Sequence, residues 1–357
     1  MAEDAEKADV EREEEIPPRK DVSREEKTEA YEGLPKRSYR EMLSDPVGLI
    51  FNVRMLRRFV QILFIVGINA YFVASLSGGE AFTAFWRNIS FIIPALPILS
   101  PLQAPAAILA GSFDTFEREF ASGFFPFYTL GTMIIVLIVL GRAGCGWMCP
   151  FGTLQDFATL PNRKKIRPAP NTETEMRRLK AYIFIIVMFL AVWVGVSKLT
   201  GTSAALTAAL GPFAEAAFDP FSPAYILFVA FPSIISRGLW PTGLGNLWYV
   251  LQWGWFIPQL IFVIVILAIS FWFPRAFCRW LCPAGWIYGI FSKDSLIGIG
   301  RNPAKCTPDT CNICEVVCPM NIKIRRFPYQ HMHSPDCILC LECKSHCPRK
   351  AIVIRFS

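Results

Sequence analysis

Histidine is nearly missing from this chain of 357 residues. There are 3, namely His331, His333 and His346, all close to the C-terminus. A haem held by two histidines inside the apolar part of the chain is therefore excluded. No Cys-x-x-Cys-His occurs, so a covalently attached c-type haem is excluded too. Nor is there a glycine-rich dinucleotide fingerprint or a P-loop, which leaves nicotinamide, flavin and nucleotide without a seat. Charge is scarce at 18%, against 53% hydrophobic residues and a mean hydropathy of +0.37. Uncharged runs in such a composition indicate membrane spans. The net charge of +7 does not point to nucleic acid, because the basic residues flank apolar segments, where they set membrane orientation. Residues 1–45 lack an early apolar core, so no cleavable signal peptide is expected.

What is present is a repeat. Residues 142–152 read RAGCGWMCPFG and residues 275–285 read RAFCRWLCPAG. Both follow the pattern Arg-Ala-x-Cys-x-Trp-x-Cys-Pro-x-Gly, and both come after a long apolar run, so an internal duplication is indicated. The two cysteines of each copy are four residues apart, a spacing that on a helix would stack both sulfurs on one face. The following Pro ends or kinks a helix. Each unit thus reads as a transmembrane helix ending in two thiols, and together the units offer Cys145, Cys149, Cys278 and Cys282.

Residues 1–50 form a charged tail that reads as disordered and solvated, or as a docking arm. Arg57 and Arg58 lead into a first span at residues 59–76 and hold its start on the cytoplasmic side. Residues 77–124 emerge on the far side. Their middle, residues 91–109, is apolar but carries Pro94, Pro97, Pro101 and Pro105, which suits a re-entrant or interfacial segment better than a straight helix. The second span, residues 125–140, ends at the first cysteine pair. A basic loop follows, with Arg163, Lys164, Lys165, Arg167, Arg177, Arg178 and Lys180, and marks the cytoplasmic side. The third span covers residues 182–196. An outer loop, residues 197–252, contains an apolar piece at 225–235 and Trp240 and Trp248; with Trp253 these read as an aromatic belt. The fourth span, residues 255–273, returns to the second pair. The two halves then share one orientation, as parallel repeats do.

The remaining cysteines carry the firmest signal. Cys337, Cys340, Cys343 and Cys347, with Pro348, make a Cys-x2-Cys-x2-Cys-x3-Cys-Pro run, the bacterial 4Fe–4S pattern. Cys306, Cys311, Cys314 and Cys318, with Pro319, repeat it with a wider first gap. A short β-like piece follows each run, at residues 321–324 and 351–354. In a two-cluster ferredoxin the fourth Cys of each run ligates the other cluster. Cluster one is accordingly assigned to Cys306, Cys311, Cys314 and Cys347. Cluster two is assigned to Cys337, Cys340, Cys343 and Cys318. Paired zinc sites need neither the Cys-Pro ends nor this exchange. Nearby Arg325, Arg326, Lys344, Arg349 and Lys350 suit an acidic redox partner, or balance cluster charge beside anionic headgroups.

For Cys145, Cys149, Cys278 and Cys282 three readings stand side by side. They hold a third iron–sulfur centre, they cycle as disulfides, or they pack as inert thiols. Asp219 in the outer loop is a candidate proton acceptor, with an ordinary turn residue as the alternative.

Two Cys-x3-Cys-Pro motifs at the ends of spans, followed by two 4Fe–4S runs, resemble a family of ferredoxin-type membrane proteins. Its members include the NapH subunit of periplasmic nitrate reductase systems, the C-terminal half of the nitrous oxide reductase regulator NosR, and the copper-reducing assembly factor of cbb3 oxidases. The resemblance covers residues 56–357. It implies an α-helical integral membrane protein with four core transmembrane helices over residues 51–300, and a small α+β two-cluster ferredoxin-like domain over residues 301–357. The expected location is the prokaryotic cytoplasmic membrane, with the N-terminus and ferredoxin domain cytoplasmic. The expected role is electron relay between the quinone pool or a cytoplasmic donor and a membrane or periplasmic partner. Lipid and other redox-complex subunits are its partners. The alternative role is a maturation factor that reduces copper or disulfides during metalloenzyme assembly.

Overall fold

Two apolar helices end in the same short kink, and the rest of the chain is packed around that pair. In the computed structural model the described residues are 53–68, 84, 88, 95–99, 110–162, 165–166, 168–214, 216–231, 256–306, 311–332 and 334–356. The N-terminal tail, residues 69–76 of the first expected span, most of the expected re-entrant segment, Arg163, Lys164, Arg167, Trp240, Trp248, Trp253 and His333 lie outside them.

Helix α1 (Val53–Ile68) begins six residues before the expected span, so Arg57 and Arg58 sit within it. The short parallel pair β1 (Ala95–Leu96) and β2 (Ala110–Gly111) precedes helix α2 (Ser112–Ala121). Helix α3 (Phe127–Leu140) stops at Gly141, whose positive φ of 56° suits a residue without Cβ. The first cysteine unit follows as α4 (Ala143–Trp147) and α5 (Pro150–Thr159). Helix α6 (Pro170–Leu199) is the one described helix long and apolar enough to cross a membrane, through residues Asn171–Leu199. After α7 (Ser203–Leu210) the chain makes short turns through Asp219–Phe221 and Pro223–Tyr225, then a wider π-turn over Ile226–Ala230. Helix α8 (Phe256–Trp272) leads to the second cysteine unit, α9 (Ala276–Trp280) and α10 (Pro283–Ser292).

The cysteine units differ from the expected continuous helix. The chain breaks at Met148 and Leu281, and Cys149 and Cys282 take extended backbone as the N-cap residues of α5 and α10. Pro150 and Pro283 are the cause. Proline is favoured in the first turn of a helix and disfavours helical backbone in the residue before it. Each pair therefore places one thiol on a short helix and the other at the start of the next.

Helix α2 was expected within a segment on the far side of the membrane. It runs along α6: Phe113 meets Phe184 at 6.3 Å between ring centroids. A Cβ on Gly195 would lie 2.1 Å from the Phe120 carbonyl oxygen, so only glycine allows this approach. The main apolar core lies between these helices and includes Phe113, Met133, Leu137, Phe151, Phe277 and Tyr288. Outward, α3, α6 and α8 expose Ile135, Ile138, Ile185, Ile186, Phe189, Trp193, Ile261 and Ile264.

The C-terminal part is built on an antiparallel pair, β3 (Ile297–Arg301) and β4 (Ile352–Phe356), in register from Ile297 opposite Phe356 to Arg301 opposite Ile352. The β-like reading of residues 351–354 is thus borne out, but residues 321–324 are not a strand and run into a 3-10 turn at Ile324–Arg326. The strand that β4 needs comes from before the first cysteine. Short helical turns α11 (Ile313–Val316) and α12 (Glu342–Ser345) carry the third cysteine of each run. Three residues past the last cysteine of each run, Asn321 and Lys350 both take positive φ, 54° and 51°, a local mark of the internal pseudo-symmetry.

Candidate metal centre

The twelve cysteines are all free thiols. Cys318, Cys337, Cys340 and Cys343 line one cavity with Ile299, Met320, Ile322, Ile324, Met332 and Ile338. Those four are the cysteines grouped by spacing and by exchange of the fourth ligand. The loop that carries three of them is wound tightly, with Leu339 and Leu341 in the left-handed region at φ 46° and 58°. Such backbone costs about 1–2 kcal/mol per non-glycine residue and persists where surroundings hold it. Burial pushes the Cys337 and Cys340 thiols up to about 12. For the other group, Cys306 and Cys311 lie close enough to Cys314 to raise its thiol further, after burial and Glu315, to about 12. Arg301 approaches the Cys306 sulfur at 3.9 Å. Cys347 accepts the Ala351 N–H at 3.2 Å and packs on the same apolar core as Cys314.

The four thiols of the repeats also gather. Burial raises Cys149 to about 12, and Cys278 and Cys145 add to that effect. Cys282 is raised by burial and then by Cys278, Cys145 and Cys149. Each sulfur has its own donor or acceptor. Gln155 Nε2 donates to Cys278 Sγ at 3.1 Å, and Gly285 N donates to Cys282 Sγ at 3.4 Å. Gly152 and Leu99 donate backbone N–H groups to Cys149. Cys145 donates to the Pro97 carbonyl at 3.8 Å. The described part of the expected re-entrant segment thus covers this site.

The repeat sequence now has a physical reading. Arg275 donates to the Cys145 carbonyl at 2.8 Å, and a Cβ on Gly152 would meet its guanidinium at 3.4 Å. Reciprocally, a Cβ on Gly285 would meet Arg142 Nη2 at 2.9 Å. Each arginine crosses to the other unit, over the glycine that clears its way. Arg275 is held by both oxygens of Asp156, at 2.8 and 2.7 Å. Asp156 also takes Arg57 at 2.5 Å and Gln61 at 3.0 Å. Burial alone would raise this carboxyl, but Arg275 and Arg57 outweigh it and hold it well below the usual carboxylate range. At the position equivalent to Asp156 the second unit has Gly289, and its Cβ would lie 2.9 Å from the Pro335 carbonyl. That space admits Pro335 and Asp336 of the C-terminal part. Arg142 donates to Pro335 O at 2.7 Å and faces Asp336 at 3.5 Å. Asp336 is shared with Lys180 at 2.8 Å and Arg177 at 2.7 Å. Two members of the basic run read as a topology signal therefore also bind the C-terminal part. Arg279 is paired with Glu173, with Nε at 3.0 Å from Oε1.

The first unit receives the 337–343 loop directly. A Cβ on Gly146 would lie 2.2 Å from the Ile338 carbonyl, and Trp147 Nε1 donates to Leu339 O at 2.9 Å. Cys145 packs against the same core as Cys340 and Cys343. Among the described residues no three His, Cys, Asp or Glu side chains close on a point that a single ion could fill. Cys318, Cys337, Cys340 and Cys343 instead surround a volume, which is what the four corners of an iron–sulfur cubane require. The repeat site also fits an anionic group: Arg142 Nε is buried without a partner among the described residues, and the same guanidinium lies close to Cys145 and Cys282. Sequence reasoning missed Asp156, Gln155, Asp336 and Gly289, although the break in the repeat at Asp156 and Gly289 was a readable signal.

Comparison with known proteins meets this geometry. The 4Fe–4S binding domain family matches residues 122–168 and 255–302, so both matches fall on the Cys-x3-Cys-Pro units. The chain carries this 4Fe–4S domain signature twice, once on each helical unit, and is similar to ferredoxin-type proteins. Its resemblance to NapH and NosR is borne out. It is 28% identical over 240 residues to the ferredoxin-type protein NapH of Haemophilus influenzae, covering 64% of this chain and 67% of NapH. It is 25% identical over 203 residues to the regulatory protein NosR of Stutzerimonas stutzeri, covering 56% of this chain and 22% of NosR. An uncharacterized protein of Methanocaldococcus jannaschii is 28% identical over 230 residues, covering 64% of this chain and 78% of that protein. No solved structure matches the chain.

Proposed function

We propose that this protein is an integral membrane electron carrier with three iron–sulfur centres, which links the quinone pool or a cytoplasmic donor to a membrane or periplasmic redox partner. When bound, the clusters supply one-electron chemistry. Cys306, Cys311, Cys314 and Cys347 hold the first, and Cys318, Cys337, Cys340 and Cys343 the second. Cys145, Cys149, Cys278 and Cys282 hold the third. The observation that carries this reading is the convergence of the four repeat thiols beneath Arg142 and Arg275, in packing contact with the 337–343 loop. Gly146, Trp147 and Arg142 hold that loop against the first unit. Gln155, Gly152, Gly285 and Leu99 aim N–H groups at the sulfurs, and hydrogen bonds to sulfur tune reduction potential.

The membrane reading is supported by α6 and by the large apolar side chains that α3, α6 and α8 expose, a surface that lipid would cover. Arg177, Arg178 and Lys180 at the start of α6 put that end, and with it the ferredoxin part, on the cytoplasmic side.

The test is iron and acid-labile sulfide per chain on anaerobically purified protein. It is run beside a variant with Cys145, Cys149, Cys278 and Cys282 changed to Ser. The expected result is about twelve irons in the wild type and about eight in the variant. About eight in both would overturn the third centre and favour the copper or disulfide chemistry of a maturation factor.

A further inference from the structure

Helix α2 carries two acidic residues into the helical core, and a third comes from the turn beside it. Asp114 and Glu117, one turn apart, are 1% and 0% exposed, and Asp219 is 5% exposed on the turn packed against them. Asp219, the candidate proton acceptor or turn residue of the sequence, sits buried on a turn and is paired with Arg118 at 2.5 Å. Glu117 Oε1 accepts the Phe218 N–H at 2.9 Å. Glu117 Oε2 is buried and meets no hydrogen-bond partner among the described residues. Among the described residues, the charged or titratable groups around Glu117 are Asp114, Arg118 and Glu119 on its own helix, Asp219 on the adjoining turn, and Tyr288 on α10. Helix α6 carries none between Tyr182 and Lys198, and on α3 Tyr128 is exposed. Arg118 is thus paired with Asp219 and also lies near Glu117, in a buried setting. An isolated ionised carboxylate there is costly and is relieved by taking a proton.

The position of the cluster gives that proton a use. Tyr288 is fully buried, and its hydroxyl exchanges a hydrogen bond with Ser112 at 2.8 Å and accepts the Phe113 N–H at 3.0 Å, at the start of α2. Burial raises the Tyr288 hydroxyl well above its ordinary value, and Cys145, Asp114 and Cys282 add to that effect. A change of charge at the four thiols is therefore felt along Tyr288 and the first turns of α2, with no solvent between to screen it.

We propose that Glu117 is a redox-linked proton site, carrying a proton while the four-thiol centre is reduced and releasing it when that centre is oxidised. The step balances as one electron and one proton: the electron enters at the thiol site from a one-electron donor, and the proton enters Glu117 from water. This inference rests on the third centre proposed above. It makes the protein a carrier whose electron is matched by a proton held on α2.

The test is reduced-minus-oxidised infrared difference spectroscopy on the full-length protein, with dithionite as reductant, in H2O and D2O. The expected result is a protonated-carboxyl C=O band in the reduced form that shifts in D2O and is absent from Glu117→Gln. Gln keeps an oxygen for the Phe218 N–H, so this variant preserves the local bond. Asp114→Asn, as a second variant, is expected to keep the band. A wild-type spectrum without the band, or a band retained in Glu117→Gln, overturns the proposal. The third centre fails separately, by unchanged iron in the four-Ser variant. As a quantitative companion, the midpoint potential of the thiol centre is expected to fall by about 59 mV per pH unit in the wild type. It should lose that slope in Glu117→Gln; equal slopes in the two proteins also overturn the proposal.

Discussion

Replacing Gly146 by alanine should loosen the 337–343 loop from the first cysteine unit. The added Cβ would sit 2.2 Å from the Ile338 carbonyl oxygen and 3.6 Å from the Cys340 amide nitrogen. Neither neighbour is the free end of a flexible side chain, so backbone has to retreat by about 1 Å to recover van der Waals separation. Overpacking of this kind costs about 1–3 kcal/mol. Set against the docked state of the loop, that is a shift of about 5- to 150-fold in the docked-to-open ratio. Amide hydrogen exchange of residues 337–343 should accelerate by that factor, while α6 is unchanged. Gly131→Ala is the control: it lies on α3 with nothing within 4 Å of the added methyl, and helix propensity favours it by about 0.5–1 kcal/mol. Exchange in the loop as slow in Gly146→Ala as in Gly131→Ala would refute the argument that glycine is there to admit the loop.

Asp156→Asn leaves Arg57 and Arg275 buried against a neutral amide, and the expected loss is about 3–5 kcal/mol of stability, read by thermal unfolding. Since the folded carboxyl is held below its ordinary value of about 3.9, its contribution is complete above that pH and lost as pH falls through the folded value. The gap between wild type and variant should therefore stay constant between about pH 8 and 5, and a gap that closes in that window would contradict the assignment. Trp147→Phe removes the N–H bond to Leu339 and should cost about 0.5–1.5 kcal/mol, seen as faster exchange in the same loop with iron content unchanged. The raised thiols of Cys149, Cys337 and Cys340 are protonated at neutral pH. Reconstitution of the apoprotein with iron and sulfide should acidify a weakly buffered sample, and an absence of proton release would show that these thiols are already ionised.

Local chemistry was readable in the sequence; long-range placement was not. The spacing of Cys337, Cys340, Cys343 and Cys318 anticipated the set that lines one cavity, because three of the four are fixed by a short loop. The repeat announced the meeting of Cys145, Cys149, Cys278 and Cys282. The helical spacing of each pair misled, because Pro150 and Pro283 restart the helix and turn the preceding cysteine into a cap. Residues 321–324 looked like a strand by apolar content alone, whereas the partner of β4 lies at Ile297–Arg301, a pairing across more than fifty residues that no local pattern reveals. Arg57, Arg177 and Lys180 were read as topology markers. Their carboxylate partners Asp156, Glu342 and Asp336 are distant in sequence, and only the folded chain brings them together.

The exchange of Asp156 for Gly289 between the repeats gives the two arginines counter-charges from different parts of the chain. The first unit carries its own counter-charge, so Arg275 is neutralised as soon as the helices meet. The second unit carries none. Arg142 waits for Asp336, which sits next to Cys337 at the mouth of the second cysteine run. Without the C-terminal part, the helical part would keep an unquenched cation beside its thiols. A chain that stalled before its last cysteines were wrapped would expose its defect as a buried, unpaired arginine.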